Sequence, residues 1–194
     1  MATVKSVCVY CGSSSNVRES HRDAARELGS ALAQAGLRLV YGGGQVGLMG
    51  LIADAVLAAG GMVTGIIPKF LNRHEIGHTR CTELIVSDNM HDRKYQMAVI
   101  ADAFVVLPGG FGTLDETFEI LTWKQLGLHD KPIVIADIDG YWALLLALMA
   151  NQFKENYVRP EHRELFRVAR DVAKILPILA LEPEPRFSLK KNWL

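Results

Sequence analysis

The chain has 194 residues, 49% of them apolar and 22% charged, with 21 Lys and Arg balanced by 21 Asp and Glu. That composition fits one compact domain and excludes disordered, collagen-like and repeat classes. A formal net charge of zero supplies no field that would draw the chain to nucleic acid or an anionic membrane, so any anion must be bound locally. In chain order, short apolar runs alternate with longer helical stretches. The pattern predicts a strand at 4–10, a helix at 18–35, a strand at 37–41, a helix at 47–59 and strands at 62–67 and 82–86. It continues with a helix at 89–101, a strand at 104–107, a helix at 114–126, a strand at 133–136 and helices at 141–151 and 160–176. Gly36, Gly60, Gly127 and Pro177 read as helix stops.

Strands that are short and almost wholly apolar suit a sheet covered on both faces, and the intervals between them are too long for hairpins. The expected fold class is α/β, a Rossmann-like three-layer arrangement with a mainly parallel sheet. One domain over residues 1–181 is expected, with 182–194 as a tail rich in proline at its start. The N-terminus shows no signal-peptide pattern and no apolar run is long enough to span a bilayer, so a cytoplasmic protein is expected.

In such a sheet, ligands bind beyond the carboxyl ends of the strands. Four segments fall there. Cys11, Gly12 and Ser13 to Ser15 follow the first strand, where hydroxyls and a glycine suit phosphate or a polar helix-capping turn. Gly42, Gly43 and Gly44 follow the second and lead to Gly47, a backbone surface able to point N–H groups at an anion. This run is neither a dinucleotide fingerprint nor a P-loop, because it does not open the chain and lacks the lysine and hydroxyl.

The third segment, 89–97, carries Met90, His91, Arg93 and Lys94, of which Arg93 offers a rigid fork and Lys94 a mobile charge for phosphate or carboxylate. The fourth runs Pro108-Gly109-Gly110-Phe111-Gly112-Thr113-Leu114-Asp115-Glu116. Here Thr113 is placed to cap a helix, and Glu116 three residues on reads either as the partner in a capping box or as a base facing the reacting centre. Glu119 lies one turn further on the same face. Cys8 and Cys11 have C-x-x-C spacing, but no second cysteine pair or histidine cluster completes a zinc or redox site. No G-x-S-x-G nucleophile elbow is present.

Together, Met90-His91-x-Arg93-Lys94 and Pro108-Gly109-Gly110-x-Gly112-Thr113-x-x-Glu116 resemble the LOG family of cytokinin riboside 5'-monophosphate phosphoribohydrolases, long described as lysine decarboxylases. The resemblance extends over about residues 4 to 178, through Gly12-Ser13, Gly42-Gly43-Gly44 and Trp123-x-Gln125-Leu126-Gly127. It implies a homodimer that hydrolyses the N-glycosidic bond of AMP or an N6-modified AMP, with no cofactor and no metal. It further implies a catalytic pair, Arg93 and Glu116, with Thr113 and the glycine loops around phosphate. The candidate substrate contacts are thus Gly12, Ser13, Gly43, Gly44, Met90, Arg93, Lys94, Gly109, Gly110, Gly112, Thr113 and Glu119. Asp115 stands where relatives often carry a second glutamate, and no chemistry is assigned to it. Base choice is expected from loops that include 72–81. Two other readings stay open, a nucleosidase of broad base specificity and a nucleotide-binding module without catalysis.

Overall fold

The computed structural model describes residues 4–72, 77–181 and 187. The expected tail at 182–194 lies outside the described residues apart from Phe187. Seven parallel strands form one sheet: β1 Ser6–Tyr10, β2 Arg38–Tyr41, β3 Val63–Pro68, β4 Glu83–Ser87, β5 Ala103–Val106, β6 Ile133–Ala136 and β7 Arg167–Ala169. Their spatial order is β4-β3-β2-β1-β5-β6-β7, with every adjacent pair parallel. The helices are α1 Glu19–Gln34, α2 Gly47–Ala58, α3 Lys69–Asn72, α4 Met90–Ile100, α5 Phe111–Gln125, α6 Ala143–Lys154 and α7 Ile175–Leu179. No helix among the described residues is long and apolar enough to cross a membrane.

Alternation along β1 divides the core. Val7 and Val9 join Leu39, Leu28, Leu32, Ile52 and Val56 on the face covered by α1, α2 and α7. Cys8 and Tyr10 join Phe104, Val106, Met97, Ile120 and Met149 on the face covered by α4, α5 and α6. The three-layer Rossmann-like arrangement expected from the apolar strands is the one observed.

Two expectations need correction. The stretch 160–176 is not one helix: Pro160–Leu165 and Val172–Lys174 are short 3-10 turns flanking β7, and α7 follows. Its helical composition is overridden by pairing with β6, where Arg167, Val168 and Ala169 sit opposite Val134, Ile135 and Ala136. Pro177 therefore does not stop a helix but lies in the first turn of α7, where its missing N–H costs no helical hydrogen bond. The second correction concerns α5, which starts at Phe111 with Gly110 as its N-cap, so Thr113 is the third helical residue and does not cap it.

The chain runs outward from β1 through β4 and returns to β5 on the other side of β1, which makes the β1/β5 boundary the switch point of the sheet. The loops leaving those two strands are tied together there. Gly12 N donates to Pro108 O at 3.0 Å, and Leu48 N donates to Gly12 O at 3.0 Å, which brings the start of α2 to the same place. Gly47, at φ 64°, allows this approach, because a Cβ on it would fall on the Ser13 backbone.

Candidate active site

A cavity of about 310 Å³ opens at this switch point. Gly12, Ser13, Gly44, Met90, Arg93, Gly110, Gly112, Thr113 and Glu116 meet on its wall, from three loops and two helices well separated in the chain. The remaining expected contacts, Gly43, Lys94, Gly109 and Glu119, are not on that wall. Sequence reasoning missed the apolar part of the lining, Met49, Ile67, Leu71 and Phe111. Phe111 carried a signal, being an aromatic inside a glycine loop, and it is 92% exposed at the cavity mouth.

Arg93 and Glu116 form the centre of the site. Asn89 caps α4 by accepting from Asp92 N at 2.9 Å, which sets Arg93 in the first turn. From there its Nε donates to Ile66 O at the end of β3, at 3.0 Å, and its Nη1 donates to Glu116 Oε1 at 2.7 Å. Each residue is only 7% exposed. Arg93 holds Oε1 of Glu116, whose side chain lies on the cavity wall; among the described residues no hydrogen bond to its Oε2 is seen. The capping box with Thr113 does not form, because Thr113 lies inside α5 rather than at its N-cap; the carboxylate instead takes a charge-assisted bond from the buried guanidinium.

Burial raises the pKa of Glu116 above the ordinary carboxylate value, and Arg93 opposes the rise without cancelling it. Burial likewise pushes the thiols of Cys8 and Cys11 upward, with the charge of Glu116 adding to the effect, so both remain protonated near neutral pH. Both are free thiols packed inside, and among the described residues no three His, Cys, Asp or Glu side chains gather as a metal site.

Lys94 is held elsewhere. Its Nζ donates to Asp115, itself on the cavity wall, at 3.0 and 3.2 Å and pairs with Glu119 Oε1 at 3.2 Å, so it clamps α4 to α5. His91 is exposed. Across the cavity, the segment after residue 76 returns over the glycine loop: Gly77 bridges Gly44, His78 N donates to Gly43 O at 2.8 Å, and His78 Nε2 bonds Asp54 at 2.9 Å. Within the 72–81 stretch expected to shape base choice, 73–76 lie outside the described residues.

The glycines divide by what surrounds them. At Gly42 a Cβ would fall on the Arg93 guanidinium, and at Gly109 on the Thr113 side chain. At Gly110 and Gly112 a Cβ would meet nothing within 4 Å, and neither residue has a positive φ. Internal packing therefore does not explain them, and the absence of side chains leaves the first N–H groups of α5 open to close approach. Gly112→Ala should stabilise the fold by up to about 1 kcal/mol through helix propensity while weakening binding of inorganic phosphate. Urea unfolding and a phosphate titration check both halves; unchanged phosphate affinity would remove the ligand explanation.

The family model described as possible lysine decarboxylase matches residues 49–179. Among curated proteins, the cytokinin riboside 5'-monophosphate phosphoribohydrolase LOG5 of Arabidopsis thaliana is 45% identical over 172 residues, covering 89% of this chain and 75% of that protein. LOG1 of the same plant is 41% identical over 191 residues, covering 97% and 90%. The chain belongs to the LOG family. Solved structures of lower identity share the fold of this LOG-family protein. A molybdenum cofactor binding protein from Rippkaea orientalis matches with a TM-score of 0.71 at 19% identity, covering 92% of this chain and 97% of that one. The molybdenum cofactor carrier protein of Chlamydomonas reinhardtii matches with a TM-score of 0.66 at 24% identity, covering 92% and 100%. Among the described residues no lysine lines the cavity of this LOG-family protein, and Lys94 is engaged by two carboxylates.

Proposed function

We propose that this protein hydrolyses the N-glycosidic bond of adenine-type, cytokinin riboside 5'-monophosphates, giving the free base and ribose 5-phosphate. The observation that carries the reading is the buried Arg93–Glu116 pair on the wall of a cavity framed by three glycine-rich loops. Phosphate would sit against the start of α5, where unpaired N–H groups, the helix dipole and the Thr113 hydroxyl favour an anion. The anomeric carbon would then lie toward Glu116.

As the base departs, positive character develops on that carbon and negative charge on the base. Ionised Glu116, with Oε1 held by Arg93 and Oε2 left for the reaction, would stabilise the carbon or orient the attacking water. Water supplies hydroxyl to the sugar and a proton to the base. Phosphate contacts make the monophosphate the substrate, because their binding energy positions the reacting centre and a nucleoside forfeits it.

The assay is release of base from AMP and N6-isopentenyl-AMP beside adenosine. Release from the monophosphates alone is expected; nucleotide binding without any release would sink the hydrolase reading in favour of a binding module. Equal turnover of nucleotides bearing other bases would replace it with a broad nucleosidase.

The reading takes residues 1–181 as one hydrolase domain in the cytoplasm, acting as a homodimer. Supporting the dimer, Tyr95, Val99 and Phe118 leave apolar surface exposed on α4 and α5, and Tyr95 meets Trp123 edge to face across the two helices. Molecular mass in solution tests it, and a monomer persisting at micromolar concentration would remove it.

A further inference from the structure

The weak point of the phosphate cradle is the peptide joining Gly109 to Gly110. Two successive glycines flank a unit whose plane can turn over at little steric cost. Which way it faces decides the site, because in a trans peptide the carbonyl of one residue and the N–H of the next point in opposite directions. Gly110 lines the proposed phosphate cavity and Gly109 does not, whereas both line a separate apolar groove that also contains Tyr141. Gly110 therefore borders both spaces, and the peptide that precedes it lies where they meet.

Tyr141 reaches this partition from the groove side. Its hydroxyl donates to Gly109 O at 2.7 Å. The preceding carbonyl, of Pro108, is held by Gly12 N at 3.0 Å, so two consecutive carbonyls of the loop are pinned by different parts of the chain. The tyrosine ring, 43% exposed, packs edge to face against His21 at 5.2 Å and Trp142 at 4.7 Å. A tight turn at Ile138–Gly140 delivers it, with Asp139 at φ 52° and Gly140 at φ 69°. A non-glycine residue in that region is conformationally costly and is tolerated where surrounding structure over-determines it. Here Asp137 Oδ1 accepts from Trp142 N at 2.7 Å and closes the turn.

We propose that Tyr141 is a positioning residue for substrate phosphate: by holding the Gly109 carbonyl on the groove side, its hydroxyl aims the Gly110 N–H into the cavity. This rests on the reading of the cavity as a 5'-monophosphate site. Tyr141 touches neither the reacting carbon nor Glu116, and it acts through one backbone amide. Its contribution falls on phosphate binding, which is retained from ground state to transition state, so its loss raises KM and leaves kcat nearly unchanged.

Tyr141→Phe removes the hydroxyl and keeps the ring on His21 and Trp142. Inorganic phosphate and ribose 5-phosphate should bind about three- to tenfold more weakly to the variant, the span expected for one hydrogen bond. KM for AMP should rise by the same factor with kcat within about twofold, and the thermal midpoint should stay close to that of the parent. In the parent protein labelled with 15N, the Gly110 amide resonance should shift on phosphate titration, and in the variant that shift should shrink or vanish. Undiminished phosphate affinity in the variant, with the Gly110 response intact, overturns the proposal and leaves the hydrolase reading standing. A fall in thermal midpoint or kcat without selective loss of phosphate overturns it too, since that is the mark of a merely structural tyrosine. Absence of any Gly110 response in the parent protein brings down both the cradle and the role of Tyr141. Phosphate binding that depends on Tyr141 in a protein that releases no base upholds the positioning role and removes the hydrolase alone.

Discussion

Glu116→Gln is expected to lower base release from a nucleoside monophosphate by about 10²- to 10⁴-fold, the range for loss of one acid–base or electrostatic group at a reacting centre. The amide keeps the shape of the side chain and an oxygen to accept from Arg93, so a loss of this size reports charge rather than collapse. Phosphate affinity should survive, because the cradle at the start of α5 is untouched. The parent enzyme carries a second signature. Burial raises the pKa of Glu116, so the active carboxylate is lost as pH falls through a value above the ordinary glutamate range near ~4.3. The folded state then holds this proton more tightly than the unfolded chain does. Its stability therefore declines as pH rises from the unfolded pKa through the folded one, and the Gln variant lacks that slope. A kcat/KM profile paired with urea midpoints across the acid range measures both. Activity of the Gln variant within tenfold of the parent would take Glu116 out of the chemistry.

Gly42→Ala should damage the protein more broadly. The new methyl group falls on the Arg93 guanidinium, which cannot retreat without giving up Ile66 O or Glu116. Parting a buried pair of this kind costs on the order of 3–5 kcal/mol, and the carboxylate loses its orientation at the same time. Activity should fall at least about 10²-fold, as expected when a catalytic group is misplaced by an ångström. Urea unfolding and the base-release assay together check it, and a variant that kept both stability and turnover would mean that Arg93 has room that the structure denies it. The contrast with Gly112→Ala is informative, since the same substitution a short distance away is expected to stabilise the fold.

Much of this architecture was legible in the chain. β-Branched runs ending in glycine marked β1, β2 and β5 and the loops that meet at the cavity, because a buried parallel strand leaves few alternatives in sequence. The region after residue 160 was not legible. Its charged and apolar residues recur at helical spacing, and only the exposed edge of β6 makes Arg167–Ala169 a strand. Side-chain partners were the other blind spot. Arg93 and Glu116 are 23 residues apart on different helices, so local spacing left Glu116 between a capping box with Thr113 and a base, and only the family resemblance put it with Arg93. The same limit hid the fate of Lys94, whose two carboxylate partners are visible only when α4 and α5 are laid side by side.

The position of β5 also governs when the protein can become active. Four strands and their helices precede it in the chain, yet it docks beside the first, where Ser6 meets Asp102 across 96 residues. Closing so long a stretch carries an entropic cost before its contacts repay it, which places this pairing late in assembly. Until it forms, Gly12 has no Pro108 to hold and Arg93 has no Glu116. During synthesis or refolding, helical and sheet signals would thus appear ahead of turnover, and chains cut short before α5 would carry the glycine loops of the first half as an unfinished enzyme.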